Sequence, residues 1–305
     1  MELAVHESIS FSVPPDRLAT QLERRGHKTR LIGSDESVGS VGGVVTFDHE
    51  PTFFDAPWVH CVRAGYDAFP VEAYADRGTV LTHSPGIHAA TVGDTVLGFM
   101  LQFARNLHRY RDLQHDCEWE PQSYDDSFTL DGERITIVGL GTLGRGVLRR
   151  ADRLGMHIDG VRRRPQPLEG VETIYPPAEI EAAVADSRFV VLCVPLTADT
   201  RGMIDASVFS AMAEDAYLIN VARGDVVAQD ALHTALETGQ LAGAALDAHS
   251  PEPLPADDPL WSLENVIITP HAASLTDTYP EEIARLADRT AQRIAAGKEP
   301  FDRVA

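Results

Sequence analysis

Ile135-Thr-Ile-Val-Gly-Leu-Gly-Thr-Leu-Gly144 reads as a strand running into a glycine-rich turn and then a helix. Ile135 to Val138 is a short apolar, β-branched run suited to a buried strand, and the helical pattern continues through Val147, Leu148 and Leu154. G-x-G-x-x-G alone is often only a turn. Between a strand and a helix each glycine has a separate reason: Gly139 for the tight turn, Gly141 for backbone approach to a pyrophosphate, Gly144 for close helix packing. The amides of Thr142 and Leu143 then point at an anion at the helix N-terminus. The segment predicts a dinucleotide site.

Outward from it, apolar runs recur at helix-length intervals. Toward the C-terminus stand Met156-His-Ile158, Val190-Val-Leu-Cys193, Tyr217-Leu-Ile-Asn220, Ala244-Ala-Leu246 and Val266-Ile-Ile268, which with Ile135–Val138 predict a six-stranded, doubly wound parallel sheet. Toward the N-terminus stand Gly42-Gly-Val-Val-Thr-Phe47, Val59-His-Cys-Val-Arg63 and Val80-Leu-Thr82, followed by one long helical pattern from about Ala89 to Arg111. That helix is expected to bridge two parts of the molecule. A polar, loop-like segment runs from Gln114 to Gly132, and a last helical pattern, Glu281 to Ala296, is expected to fold back onto the first region. The fold expected is α/β in two domains: a Rossmann-type dinucleotide domain inserted in a smaller, flavodoxin-like substrate domain. The boundaries read as 1–86 for the substrate domain, 87–275 for the dinucleotide domain with its long helix, and 276–305 for the returning segment.

Composition narrows the function. A chain of 305 residues with 44% hydrophobic residues can bury the core of two domains. Its first residues show no signal-peptide pattern and no apolar run is long enough to span a bilayer, so a cytoplasmic protein without a membrane partner is expected. Cys61, Cys117 and Cys193 are odd in number and far apart, which speaks against a disulfide framework and a metal site. The net charge of −20 disfavours nucleic acid as a partner. Lys28 and Lys298 are the only lysines, and pairs such as Asp125-Asp126, Asp257-Asp258 and Glu281-Glu282 suggest an acidic surface suited to a high-salt cytoplasm.

Roughly twenty residues past the glycine motif an NAD-specific site presents an acidic residue to the adenine ribose. Here the strand ends in Arg162-Arg163-Arg164-Pro165. A guanidinium can bond a 2′-phosphate that a carboxylate would repel, so NADP(H) is the expected cofactor, with NAD(H) an alternative. Three further motifs follow consecutive strands: Asn220-Val-Ala-Arg-Gly224, Leu246-Asp247 with Pro251-Glu252-Pro253, and Thr269-Pro-His271. Open α/β sheets bind ligands at such strand ends, so an arginine, a carboxylate and a histidine should meet in one crevice.

In combination these motifs resemble the D-isomer-specific 2-hydroxyacid dehydrogenases, and closely the NADP-using 2-ketoacid reductases of salt-loving archaea. The resemblance covers nearly the whole chain and includes Arg63-Ala-Gly-Tyr-Asp67, Ser84-Pro-Gly86, and Val194-Pro-Leu-Thr197 followed by Thr200. It implies that Arg223 holds the substrate carboxylate and polarises the carbonyl, that His271 transfers the proton, and that Glu252 favours its imidazolium form. It implies further that Asp247 accepts a hydrogen bond from the nicotinamide carboxamide, that Pro195 and Thr200 line the adenosine and ribose path, and that the Ala64 and Gly65 amides take the other side of the carboxylate. The substrate would be a small 2-oxo or 2-hydroxy acid bound between the domains of a homodimer. A non-catalytic dinucleotide sensor of the same fold is the rival reading, and NAD-linked phosphoglycerate and formate dehydrogenases are rivals within enzymes.

The chain departs from the family pattern in places. His249 stands where a bulky or aromatic residue is usual, and Asp94 replaces a frequent glutamate. Phe47 reads either as a pocket wall or as core. Trp119 matches a family tryptophan that can reach a neighbouring subunit.

Overall fold

The computed structural model describes every residue except Gln122, Asp125 and Asp126, so the acidic pair Asp125-Asp126 lies outside the described residues. The chain forms two units, Met1–His88 with Leu275–Ala305, and Ala89–Ser274. In the first, β1 (Glu2–His6), α1 (Pro15–Glu23), β2 (Lys28–Ile32), β3 (Gly43–Thr46), β4 (Trp58–Cys61), α2 (Val71–Arg77) and β5 (Val80–Thr82) build a parallel sheet of order β2-β1-β3-β4-β5. Its inner strands β3 and β4 are buried along their whole length. That follows from apolar cover on both faces: Leu3, Val5, Val45 and Trp58 pack on one side, Ala4, Val44, Val59 and Leu81 on the other.

The second unit begins with α3 (Ala89–Ala104) and α4 (Leu107–His115). Then come β6 (Arg134–Val138), α5 (Thr142–Arg153), β7 (His157–Val161), β8 (Thr173–Tyr175), α6 (Ile180–Val184), β9 (Phe189–Leu192), α7 (Ala206–Ala211), β10 (Tyr217–Asn220), α8 (Gln229–Glu237), β11 (Gly243–Leu246) and β12 (Val266–Ile268). All seven strands are parallel, in the order β12-β11-β10-β9-β6-β7-β8. The order reverses between β6 and β9, and at such a switch point the strand ends leave a crevice for ligand. The α/β class, with two parallel-sheet units and a Rossmann-type order, is the one expected from the sequence.

The last helix, α9 (Tyr279–Ala295), belongs to the first unit. Tyr279, Ile283, Ala287 and Ala291 recur every fourth residue and share a core with Leu18 and Leu22 of α1. Beyond it the chain adds an antiparallel bridge, Arg303 to Thr82, on the open edge of β5.

Two expectations are corrected. The single helix from Ala89 to Arg111 is two helices, because Asn106 adopts a left-handed conformation (φ 52°) that ends the first and precedes the second. Asparagine tolerates that region better than most residues, and periodicity alone does not see the break. Among the described residues the sheet has seven strands rather than six. Strand β8 is only three residues long, half-exposed, and paired on one side to β7, so it lacks the apolar run by which the others are legible. No helix among the described residues is long and apolar enough to cross a membrane.

Candidate active site

The glycine turn sits at the switch point. Gly139 has φ 101°, and a Cβ there would stand 2.7 Å from the Cys193 carbonyl oxygen at the end of β9. At Gly144 a Cβ would lie 2.0 Å from the Gly139 oxygen, so only glycine lets α5 start against the turn. A Cβ at Gly141 would meet nothing within 4 Å, and no side chain caps the first turn of α5. With a glycine as cap, the amides of that first turn, Thr142 and Leu143 included, have no capping side chain and form a cradle that fits a pyrophosphate.

Arg162 follows β7 directly, with its amide bonded to the Tyr175 oxygen of β8 at 3.1 Å; Arg163 and Arg164 are exposed beyond it. Strand β8 therefore fixes where the arginine run begins. Pro195 and Thr200 meet in the turn after β9, where the Thr200 hydroxyl donates to the Pro195 oxygen at 2.6 Å and accepts the Thr197 amide at 2.8 Å. The hydroxyl proton expected along the ribose path is spent on shaping this turn.

Strands β10, β11 and β12 are neighbours, and each carries one motif past its C-terminal end. After β10 the buried Asn220 accepts the Ala222 amide at 3.0 Å and donates to the Arg223 oxygen at 3.0 Å, closing the loop that presents Arg223. Asn220 was not singled out from the sequence, although it opens the motif. Its strand-end position and its ability to donate and accept at once are the signal that could have found it. One Arg223 guanidinium nitrogen donates to the Ala222 oxygen at 2.7 Å.

Asp247, after β11, is 2% exposed. Its Oδ1 accepts the Thr269 hydroxyl at 2.6 Å and the Ala272 amide at 2.8 Å, and its Oδ2 accepts the Ala273 amide at 3.0 Å. These bonds grip the segment after β12 on both sides of His271, which sits at φ 53°, a region uncommon for a residue with a side chain. A carboxylate has about four acceptor positions, so capacity for one more bond remains, but its first task is to hold the histidine loop.

His271 Nδ1 lies 2.9 Å from Oε2 and 3.1 Å from Oε1 of Glu252. The ring thus donates Nδ1–H to the carboxylate and turns Nε2 away from it. Burial acts to raise the Glu252 carboxyl, but the His249 amide at 2.9 Å and the His271 ring outweigh it and hold the group below its ordinary value. Glu252 lies between two cis peptide bonds, Ser250-Pro251 and Glu252-Pro253. The ring of His249 bonds the Thr269 oxygen at 3.1 Å, so the unusual histidine joins the network that positions the loop.

Ala64 and Gly65 follow β4 in the first unit. The Ala64 oxygen lies 2.7 Å from His83 Nδ1, and the Gly65 oxygen accepts from Cys61 Sγ at 3.7 Å. Phe47 is half-buried under the Arg63 guanidinium, 4.6 Å from its ring centre, and packs on the first unit's core. Asp94 pairs with Arg150 of α5 at 2.6 Å, and Trp119 is 96% exposed. Burial pushes the Cys61 and Cys193 thiols up to about 12, which leaves them protonated, and Cys117 is exposed. Among the described residues no three His, Cys, Asp or Glu side chains gather as a metal site.

Residues 97–273 match the family model described as D-isomer specific 2-hydroxyacid dehydrogenase, NAD binding domain. The chain belongs to that family. It is 39% identical over 245 residues to a glyoxylate reductase of Korarchaeum cryptofilum, covering 77% of this chain and 70% of the relative. A glyoxylate/hydroxypyruvate reductase B of Yersinia pestis is 34% identical over 266 residues, covering 86% and 78%. The crystal structure of a D-isomer specific 2-hydroxyacid dehydrogenase from Xanthobacter autotrophicus Py2, in complex with NADPH and MES, matches with a TM-score of 0.84 at 28% identity, over 100% of this chain and 98% of that one. As a member of this dehydrogenase family the protein is an NAD(P)-dependent oxidoreductase.

Proposed function

We propose that the protein is a 2-ketoacid reductase of the D-2-hydroxyacid dehydrogenase family, moving hydride between NADP(H) and a small 2-oxo acid with Arg223, Glu252 and His271 as its catalytic residues. The observation that carries this reading is the His271–Glu252 pair at 2.9 Å, one strand end from Asp247 and two from Arg223. Bound NADPH supplies the hydride. Arg223 offers a planar, permanently charged fork for the carboxylate beside the reacting carbonyl. His271, protonated, gives its Nε2 proton to the carbonyl oxygen as that oxygen gains charge, and the Glu252 carboxylate stabilises the imidazolium beforehand. In the oxidative direction the same nitrogen takes the proton back. The Ala64 and Gly65 amides are assigned to the remaining carboxylate oxygen, and Asp247, through its spare acceptor position, to the nicotinamide carboxamide. Arg162 and Arg163 are assigned to the 2′-phosphate, with Arg164 ranked third because Pro165 turns the chain there.

Relatives named for glyoxylate and hydroxypyruvate make those two acids the first substrates to try. The test is a screen of purified protein against glyoxylate, hydroxypyruvate, pyruvate and longer 2-oxo acids with NADPH and NADH. NADPH oxidation with at least one acid is expected, lost in His271→Ala while NADPH binding stays within a few-fold. No turnover with any acid, at low or molar salt, would leave the dinucleotide-sensor reading in place.

Two finer readings accompany this one. The net charge of −20 with only two lysines supports kinship with the reductases of salt-loving archaea, because a 1 M salt solution screens charges beyond about 3 Å and relieves the self-repulsion. Activity that rises from low to molar KCl is the expected result. Helix α4 buries no residue, and Leu107 and Trp119 are exposed, which supports a homodimer through this region. Light scattering should give twice the chain mass.

A further inference from the structure

The Arg223 loop and the Glu252 loop are joined by a carboxylate that the reaction itself does not use. Asp225, two residues past Arg223, accepts the Ser250 hydroxyl on Oδ1 at 2.5 Å and the Arg201 guanidinium on Oδ2 at 2.6 Å. Its backbone oxygen accepts the Gly202 amide at 2.8 Å. Three segments therefore meet at one residue: the loop after β10, the loop after β11 two residues before Glu252, and the turn after β9 that contains Pro195 and Thr200. The approach is close at the backbone too. A Cβ on Gly224 would lie 2.1 Å from the His249 carbonyl carbon and 2.4 Å from the Ser250 amide nitrogen, so the two loops touch main chain to main chain. The Ser250 and Arg201 bonds hold the Asp225 carboxyl below its ordinary value, so it stays ionised and keeps its charge-assisted bonds at neutral pH.

We infer that Asp225 is a positioning residue that sets the spacing between the carboxylate-holding Arg223 and the Glu252–His271 proton relay, with Ser250 as its contact on the second loop and Arg201 as its tether to the turn after β9. The inference rests on the reductase reading above for what the spacing achieves. Its physical basis is independent of that reading. Arg223 and Glu252 lie on separate loops with no shared secondary structure past their strands. Without a cross-link each loop would settle by its own local bonds, and a misplacement of about 1 Å is enough to cost roughly a hundredfold in rate. The side chain of Asp225 is 35% exposed, so a purely structural loss on its removal should be modest.

The test compares Asp225→Ala, Asp225→Asn, Ser250→Ala, the double variant Asp225→Ala/Ser250→Ala, and Arg201→Ala. Measured are kcat and KM for the 2-oxo acid, NADPH affinity by fluorescence, the melting midpoint, and the 15N shifts of the His271 ring at fixed pH. Asp225→Ala is expected to lower kcat about tenfold or more while NADPH affinity stays within twofold. Ser250→Ala should lower kcat in the same way by a smaller factor, and the double variant should lose no more than Asp225→Ala, because the two changes remove one bond. Asp225→Asn keeps an oxygen for Ser250 and should recover most of the rate. Arg201→Ala should act on the NADPH KM more than on kcat. The His271 shifts should move in Asp225→Ala and Ser250→Ala and stay near wild type in Asp225→Asn. That spectroscopic arm needs no turnover, so the cross-link and the reductase reading fail separately. Additive losses, an Asn variant as impaired as the Ala variant, or rates that merely track the melting midpoint with unmoved His271 shifts would overturn the inference.

Discussion

Asp247→Asn changes one oxygen to an NH2 group on a side chain that already accepts three hydrogen bonds. In the folded protein the carboxylate accepts from the Thr269 hydroxyl, the Ala272 amide and the Ala273 amide. If the Asn oxygen replaces Oδ1, its NH2 confronts the Ala273 N–H, a donor facing a donor in a residue only 5% exposed. If the amide flips, the Thr269 hydroxyl can turn and accept, but the Ala272 N–H loses its acceptor. Either way at least one amide N–H goes unpaired, at about 1–3 kcal/mol, and the surviving bonds lose their charge assistance. The total is about 2–4 kcal/mol. For a domain of this size that corresponds to a fall of roughly 5–15 °C in melting midpoint. Because the gripped residues flank the strained His271, kcat for reduction should also fall, by about tenfold or more for each 1.4 kcal/mol lost from the positioned state. The assay is thermal unfolding followed by circular dichroism, beside steady-state reduction at saturating NADPH. Thr269→Val, which removes only the hydroxyl donor, should show a smaller version of both effects. An Asp247→Asn enzyme with a wild-type midpoint and kcat within twofold would refute the argument that this carboxylate holds the histidine loop.

Other outcomes follow from the same geometry. Arg223→Lys should fold normally and lose most of kcat/KM for the 2-oxo acid, since a point charge cannot replace a planar fork; steady-state kinetics with wild-type kcat/KM would remove Arg223 from substrate binding. Glu252→Gln removes the ionisable group that accepts the His271 Nδ1–H, so the acid limb on which the pair is lost should disappear from the pH–rate profile of reduction. In the wild type the Glu252 carboxyl is held below its ordinary 4.5, so the pair's contribution is complete above that value and is lost only as pH falls through the lowered one. A pH–rate profile unchanged by the substitution contradicts the pairing. Arg162→Ala and Arg163→Ala should raise the KM for NADPH roughly tenfold to a hundredfold, as about 1.5–3 kcal/mol of charged hydrogen bonding is lost, with NADH little affected. Equal losses with both dinucleotides would make these arginines loop residues only.

The dinucleotide turn, six of the seven strands of its sheet, and the placement of Arg223, Glu252 and His271 past consecutive strand ends were legible because each leaves a local mark. An apolar run bounded by glycine and a charged residue just past a strand end are properties of a few consecutive residues. Strand β8 and the break at Asn106 left no such mark. The first is an edge strand stabilised by pairing to β7 rather than by its own apolar content, and the second is a single backbone choice inside a continuous helical period. The tasks of side chains were less legible than their presence. The resemblance implies a cofactor contact for Asp247, and beside it the structure shows three side-chain hydrogen bonds to the segment that carries His271, while the Thr200 hydroxyl closes its own turn.

Fold class, the glycine cradle and the chemical types of the side chains past the strand ends thus follow from local pattern and from what each side chain can do. Which of these groups holds which depends on the folded arrangement. Asp247 grips residues more than twenty positions away, Glu252 meets His271 across nineteen, and Asp225 reaches Ser250 across twenty-five. The physical reason is that parallel strands separated by whole helices deliver their C-terminal ends side by side. Hydrogen bonds between those ends depend on strand order and register, which no single stretch of the chain contains.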